Sequence, residues 1–253
     1  MSGGAVLILG AGSSIAKAIA HRFAEAGHAL VLAGRSAEEL ERDVADVRLR
    51  FGVGAAARHF EATDYASHAD FVQGCIRDAE AVAPGGKSLE GVVLCHGYIA
   101  PEEPAKDFDL IRRTIETNYT SAVSVLHPLA DYFERRKAGF VCAVSSIAGD
   151  RGRQSNYIYG SSKAALSTLL SGLRNRLSRS GVPVTTVKPG FVDTALTFGN
   201  DKMFLVAKPD RVARDVFRSV RKGRDVVYTP WFWRWIMLII KSIPEPVFKR
   251  MKM

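Results

Sequence analysis

With 253 residues, 47% of them hydrophobic, the chain fits one globular domain with a sizeable core. Its net charge of +9 suits phosphorylated substrates, anionic lipid or nucleic acid, yet no helix-turn-helix, zinc-finger or aromatic RNA-binding motif occurs, so no nucleic-acid partner is expected. The three cysteines, Cys75, Cys95 and Cys142, are odd in number and form no CxxC, and no basic n-region or cleavage site precedes the first strand; a cytoplasmic chain with reduced thiols and no metal is expected.

Ala5–Leu9 is an apolar run that reads as a buried strand. It ends in Gly10-Ala11-Gly12-Ser13-Ser14, and residues 15–26 read as an amphipathic helix. Strand, glycine turn and helix suit a dinucleotide pyrophosphate, because the backbone approaches it closely and the helix N-terminus favours its charge. Gly10, Ser13, Ser14 and Ile15 are therefore candidate cofactor contacts, although Ser14 and Ala16 stand where a three-glycine pattern has its other glycines. Residues 29–33 form a second strand, and Gly34-Arg35-Ser36 follows. A site for NAD places an acid near here to hold the ribose 2′-hydroxyl, whereas an arginine accommodates a 2′-phosphate. Arg35 and Ser36 point to NADPH; the alternative is an ordinary loop arginine paired with Glu38 or Glu39.

A helix over 37–50 leads to a third strand over 55–61, and the helix after Ser67 ends by Pro84-Gly85-Gly86. Gly86-Lys87-Ser88 is not a phosphate loop, since position 81 is alanine and a strand follows. Residues 91–94 are the fourth strand, ending in Cys95-His96-Gly97, where His96 reads as structural. Residues 107–136 read as one long helix containing Asn118, which places the sequon Asn118-Tyr119-Thr120 in a helix and discounts it as a glycan site.

The next strand, 140–144, ends at Ser145 and Ser146, and a polar loop carrying Arg151, Arg153 and Asn156 leads into a helix with Tyr159 and Lys163. Tyrosine and lysine four apart share one helix face. A free phenol has a pKa of about 10, and a nearby ammonium favours its phenolate and brings it toward the range useful for proton transfer. A serine hydroxyl presented from a strand end can hydrogen-bond the same substrate oxygen. The set suits protonating a carbonyl oxygen or deprotonating an alcohol.

The helix from Tyr157 ends before Gly181, and a strand over 182–187 enters Lys188-Pro189-Gly190-Phe191-Val192-Asp193-Thr194. Residues 196–207 lack periodicity and read as a lid. A helix over 209–221 and a short strand over 225–228 complete the alternation, which indicates a single doubly wound α/β domain with a mostly parallel sheet. The chain then divides at 230, leaving 231–253 as an aromatic and basic C-terminal extension of the same domain. Its run from Trp231 to Ile240 is shorter than the roughly 20 residues a bilayer span takes. Two readings stay open: an interfacial segment touching the inner face of the membrane, or a helix packed on its own core or on a partner subunit.

Ser146 with Tyr159-x-x-x-Lys163 thirteen residues on resembles the catalytic segment of the short-chain dehydrogenases/reductases, and 188–194 resembles that family's PG-x-V-x-T turn. The resemblance covers essentially the whole chain and implies a Rossmann fold with a seven-stranded sheet. It implies Ser146, Tyr159, Lys163 and Asn118 as the catalytic set, with Asn118 holding a relay water. It implies Gly97, Pro189, Gly190, Val192 and Thr194 as further NADPH contacts beside Tyr159 and Lys163, and Glu61 loosely as a neighbour of the adenine. Residues 148–156 together with the Trp-rich tail are similar to the polyprenyl-phosphoryl-2-keto-ribose 2-reductases of bacterial envelope-polysaccharide synthesis. That closer likeness implies a lipid-linked keto-sugar substrate with Arg151 and Arg153 at its phosphate, a flavin-dependent sugar oxidase as partner, and a homo-oligomer. The alternatives are reduction of another lipid-soluble ketone, 3-oxoacyl or steroid-like, and a non-catalytic protein that senses a dinucleotide or binds a partner.

Overall fold

The computed structural model describes residues 3–100, 107–194 and 205–251. Seven parallel strands form one sheet in the order β3-β2-β1-β4-β5-β6-β7: β1 Ala5–Leu9, β2 Ala29–Gly34, β3 Ala55–His59, β4 Leu89–Leu94, β5 Phe140–Val144, β6 Val184–Pro189 and β7 Val226–Thr229. Helices cover both faces, so the inner strands are apolar without alternation, as β1 shows. Alternate residues of β1 nonetheless enter different cores. Ala5, Leu7 and Leu9 join the layer under α3 (His68–Val82), α5 (Ser121–Arg136) and α6 (Tyr157–Ser178). Val6 and Ile8 join the layer under α1 (Ser14–Glu25), α2 (Ala37–Phe51) and α7 (Pro209–Arg221).

The order reverses between β1 and β4, whose carboxyl ends open the crevice where such sheets bind ligands. The third strand stops at His59, two residues short of the expected end. The Glu61 carbonyl accepts from Asp64 N–H and its carboxylate from Thr63, which turns the chain away. The long helix expected over 107–136 is interrupted. Asp107 caps α4 (Phe108–Ile115), and a π turn over Glu116–Thr120 precedes α5. Such a turn inserts one extra residue and re-aims the side chains on it, and here it points Asn118 into the interior.

After β7 the chain forms α8 (Trp233–Ser242) and the short α9 (Glu245–Phe248). Trp233 and Met237 are buried with Ile147 in a small third core that Phe191, Tyr228, Phe232, Ile236 and Ile240 flank. Among the described residues no helix is long and apolar enough to cross a membrane. Most of the 196–207 lid expectation lies outside the described residues. Of its end, Ala207 pairs with Val192 beside the 188–194 turn.

Candidate active site

The cofactor end is built first. Gly10 has φ +77°, a conformation that favours glycine, and a Cβ there would lie 2.6 Å from the His96 amide nitrogen. The turn thus lies directly against the end of β4. Ser13 caps α1, its hydroxyl accepting from Ala16 N–H at 3.2 Å, and no acid occupies the helix's first turn. Gly12 and Ser14 are exposed, and the nearest group to a Gly12 Cβ is the flexible end of Glu39 at 3.4 Å. This open, anion-tolerant turn fits a dinucleotide pyrophosphate. Ser36 caps α2, its hydroxyl accepting from Glu39 N–H and keeping its own proton. Arg35 makes no ion pair with Glu38 or Glu39. Glu38 faces Arg42 instead, and Arg35 stays exposed while its carbonyl meets His59 Nδ1 at 3.1 Å.

The reacting end is set by a close approach that sequence reading missed. The 3₁₀ turn Ile147–Asp150 lies flat on α6: a Cβ on Gly149 would come 2.7 Å from Ala164 N, and one on Gly160 would come 2.8 Å from Ala148 O. The two glycines interlock, which holds the strand-end serine over the helix bearing Tyr159. Ser145 is turned the other way, its hydroxyl donating to the Lys163 carbonyl at 2.9 Å. Ser146 Oγ accepts from Ala148 N–H at 3.1 Å, leaving its own proton for an oxygen in the cleft. Tyr159 is partly exposed to that cleft, whereas Tyr157 faces solvent.

Lys163 is buried, donates to the Val144 carbonyl at 3.1 Å, and stands 5.9 Å from the Tyr159 ring centroid. Burial pushes its ammonium down to about 8 and pushes the Tyr159 phenol up to about 12, against a hydrogen bond with Ser146 that pulls the phenol lower. The phenol therefore stays protonated at neutral pH. That differs from the expectation of a lowered phenol, because in this pocket desolvation outweighs the Ser146 hydrogen bond. It also favours a proton donor over a base.

Asn118 is fully buried, and its amide is committed: Oδ1 accepts from Tyr98 N–H at 2.7 Å, and Nδ2 donates to the Tyr98 carbonyl at 2.9 Å and to Ser162 Oγ at 3.0 Å. It fixes the 97–98 turn beside Lys163. A Cβ on Gly97 would lie 3.3 Å from Lys163 Nζ. Both Asn118 Nδ2 protons are used by these contacts, while Oδ1 keeps a second lone pair. His96 is structural, as expected: Nε2 meets Ser121 Oγ at 2.7 Å, the ring packs on Phe60, and burial holds it neutral down to about 3. Among the described residues no His, Cys, Asp and Glu cluster could hold a metal.

Pro189 ends β6, and Gly190 N–H donates to the Thr229 carbonyl at 3.0 Å. Gly190 is needed because any Cβ there would collide with the Trp233 indole. The tail therefore braces the 188–194 turn, with Val192 buried and Thr194 at its edge.

The two loop arginines part company. Arg151 is committed to the tail: Nη1 donates to the carbonyls of Ile240, Lys241 and Ile243, Nη2 to Glu245, and the guanidinium lies 3.7 Å over the Phe248 ring. It clamps the tail because α8 ends with unpaired carbonyls beside this loop. Arg153 makes no side-chain hydrogen bond or ion pair among the described residues, and its buried Nε has no acceptor. Its natural partner, Asp150, is already taken by Lys188 and by Tyr228 OH.

Residues 4–203 match the short chain dehydrogenase family. The chain belongs to that family. This short-chain dehydrogenase is 34% identical over 247 residues to an uncharacterised oxidoreductase of Mycobacterium tuberculosis, covering 97% of this chain and 96% of that one. It is 33% identical over 195 residues to a serine 3-dehydrogenase of Rhizobium radiobacter, covering 77% and 74%. In structure it is similar to a short-chain dehydrogenase from Sphingobium yanoikuyae solved with NADPH, with a TM-score of 0.76, 25% identity, and 96% and 97% of the two chains covered. The short-chain dehydrogenase fold and an oxidoreductase activity follow.

Proposed function

We propose that this short-chain dehydrogenase is a cytoplasmic NADPH-dependent carbonyl reductase whose substrate is a polyprenyl-phosphate-linked keto-sugar of envelope-polysaccharide synthesis. The observation that carries the substrate class is Arg153: a partly buried guanidinium without a side-chain hydrogen bond among the described residues, in the loop between Ser146 and Tyr159. Its burial costs free energy that a bound phosphate recovers through charge-assisted hydrogen bonds. The likeness of residues 148–156 and of the tail to the polyprenyl-phosphoryl keto-ribose reductases supports the lipid carrier. Arg35 after β2, exposed and without an ion pair among the described residues, supports the 2′-phosphate form of the cofactor, as does the NADPH complex of the Sphingobium relative. Three free cysteines support a reducing compartment.

The residues then divide the work. The dinucleotide, when bound along Gly10–Ile15 and the 189–194 turn, supplies hydride. Ser146 donates a hydrogen bond to the carbonyl oxygen, and Tyr159, protonated at neutral pH, gives that oxygen its proton. The phenolate left behind is stabilised by the Lys163 ammonium. Asn118 keeps the wall of this pocket in place through Tyr98.

Coupled NADPH oxidation on a short-chain polyprenyl-phosphoryl keto-sugar tests the reading against the same sugar without phosphate. The phosphorylated compound is expected to be reduced with the lower KM, and Arg153→Gln to raise that KM about tenfold or more while leaving kcat within a few-fold. Equal KM for both compounds would remove the phosphate. Turnover of serine-like carboxylates alone would move the anion to a small soluble acid. Arg35→Ala is expected to narrow the preference for NADPH over NADH; an unchanged preference would overturn the assignment of the 2′-phosphate.

A further inference from the structure

Helix α8 is amphipathic in an unusual sense, because both of its faces are apolar. Trp233 and Met237 point inward, flanked by Ile236 and Ile240. The opposite face carries Trp235, Leu238 and Ile239, which are 56%, 54% and 68% exposed, with Trp231 at 64% just before the helix. A single exposed leucine needs no explanation, but three large apolar side chains on one helix face with a fourth just before it do. Cations adjoin the patch: Arg234 and Lys241 on α8, then Lys249 and Arg250 after α9, all exposed. The helix itself has no acid. Glu245, the acid of α9, is already paired with Arg151.

We infer that the outer face of α8 docks on an anionic lipid bilayer. Ten residues make a helix about 15 Å long, far too short to span, so it lies in the plane of the interface. Trp231 and Trp235 reach the headgroup level, Leu238 and Ile239 enter the acyl boundary, and Arg234 and Lys241 meet lipid phosphates. Charge favours this occupant over a second copy: a two-fold contact through this face would set cations against cations with no acid on the helix between them. The docking also has a consequence for catalysis. The inner face of the same helix supports Ile147, next to Ser146, so the bilayer surface would lie roughly one helix diameter, about 10–12 Å, from the catalytic loop. The inference does not depend on the identity of the substrate.

Co-sedimentation of the full chain with vesicles of equimolar phosphatidylglycerol and phosphatidylcholine tests it, beside vesicles of phosphatidylcholine alone. Binding is expected to the anionic vesicles, weakening with salt and at least tenfold weaker without phosphatidylglycerol. Arg234→Gln and Lys241→Gln should each weaken it about fivefold, the equivalent of about 1 kcal/mol. The triple variant Trp235→Ser, Leu238→Ser, Ile239→Ser should abolish binding yet keep the wild-type melting temperature and its turnover of a water-soluble ketone. Tryptophan fluorescence gives a second reading without polar substitutions. The wild type should shift to the blue with anionic vesicles, and Trp231→Phe with Trp235→Phe should lose the shift, since buried Trp233 already sits in an apolar site. No binding to anionic vesicles at low salt overturns the inference. So does a wild type whose mass halves when the outer face is made polar, which would assign that face to a second copy.

Discussion

The catalytic segment from Ser145 to Lys163 is closed by short-range contacts. Gly149 lies on Lys163 and Ala164, Gly160 on Ala148, and Ser145 on the Lys163 carbonyl. Among the described residues the tail after Trp231 is held from one side, by Arg151 and by the small core around Trp233, and its other side is exposed. The first region is interlocked through its two glycines. The second is half structural support and half free surface, and the two halves alternate along a single helix. Trp233 joins the regions, since it touches Ile147 after Ser146 and packs on Gly190 in the 188–194 turn.

The largest expected effect separates chemistry from scaffold within the first region. Tyr159→Phe deletes only the proton donor, so the reduction rate should fall about 10²–10⁴-fold while NADPH binding and melting temperature stay near wild type. Substantial turnover in that variant would place the acid elsewhere. Wild-type kcat/KM for reduction should be flat below pH 8 and fall as pH rises through about 8, where Lys163 loses its charge. The phenol, at about 12, contributes nothing in that window. A limb seen only near 12 would show that Lys163 keeps its charge throughout.

Trp233→Ala tests the link between the regions. Removing a fully buried indole leaves a cavity and should cost about 3–5 kcal/mol of stability. Activity should fall with it, because Ile147 and Gly190 lose their support. A smaller loss follows for Arg151→Gln, about 1–3 kcal/mol, from charged hydrogen bonds to the end of α8. Its signature is local: faster hydrogen exchange in 240–248 and in the catalytic loop. Arg153→Gln, two residues on, should leave stability unchanged or slightly raised, because no partner is lost. Equal destabilisation by the two substitutions would erase the distinction drawn between them.

These differences mark what could be read from the chain alone. The strand-turn-helix start, the serine, the Tyr-x-x-x-Lys pair and the parallel α/β order were legible because each is a local pattern with its own period or spacing. Gly149 and Gly160 carry a weaker signal: two glycines at the catalytic loop and helix, meaningful only once the loop is known to lie on the helix. The Arg151 clamp could not be read at all, since its partners lie 89 to 94 residues away. The π turn at Asn118 was hidden too, because the one-residue shift it puts into the helical pattern falls in the short, largely polar stretch Glu116–Thr120. The tail resisted for another reason. With both faces apolar, its periodicity cannot distinguish a core face from a lipid face; the core reading holds for Trp233 and Met237, and the lipid reading rests on the proposal made for the outer face.

The smallest expected effect is the one that decides this last point. Trp235 and Trp233 are two residues apart on α8, equal in size and opposite in exposure, 56% against 1%. If hydrophobicity alone held the tail, the two substitutions to alanine would destabilise alike. Burial says otherwise: Trp235→Ala removes an indole that already meets water, so its effect on melting should stay within about 0.5 kcal/mol. Thermal unfolding of the two single variants, measured in the same buffer without lipid, makes the comparison directly. A loss for Trp235→Ala approaching that of Trp233→Ala would mean the outer face is covered in solution, by a second copy or by residues outside those described. A loss near zero leaves that face free, as the lipid surface requires.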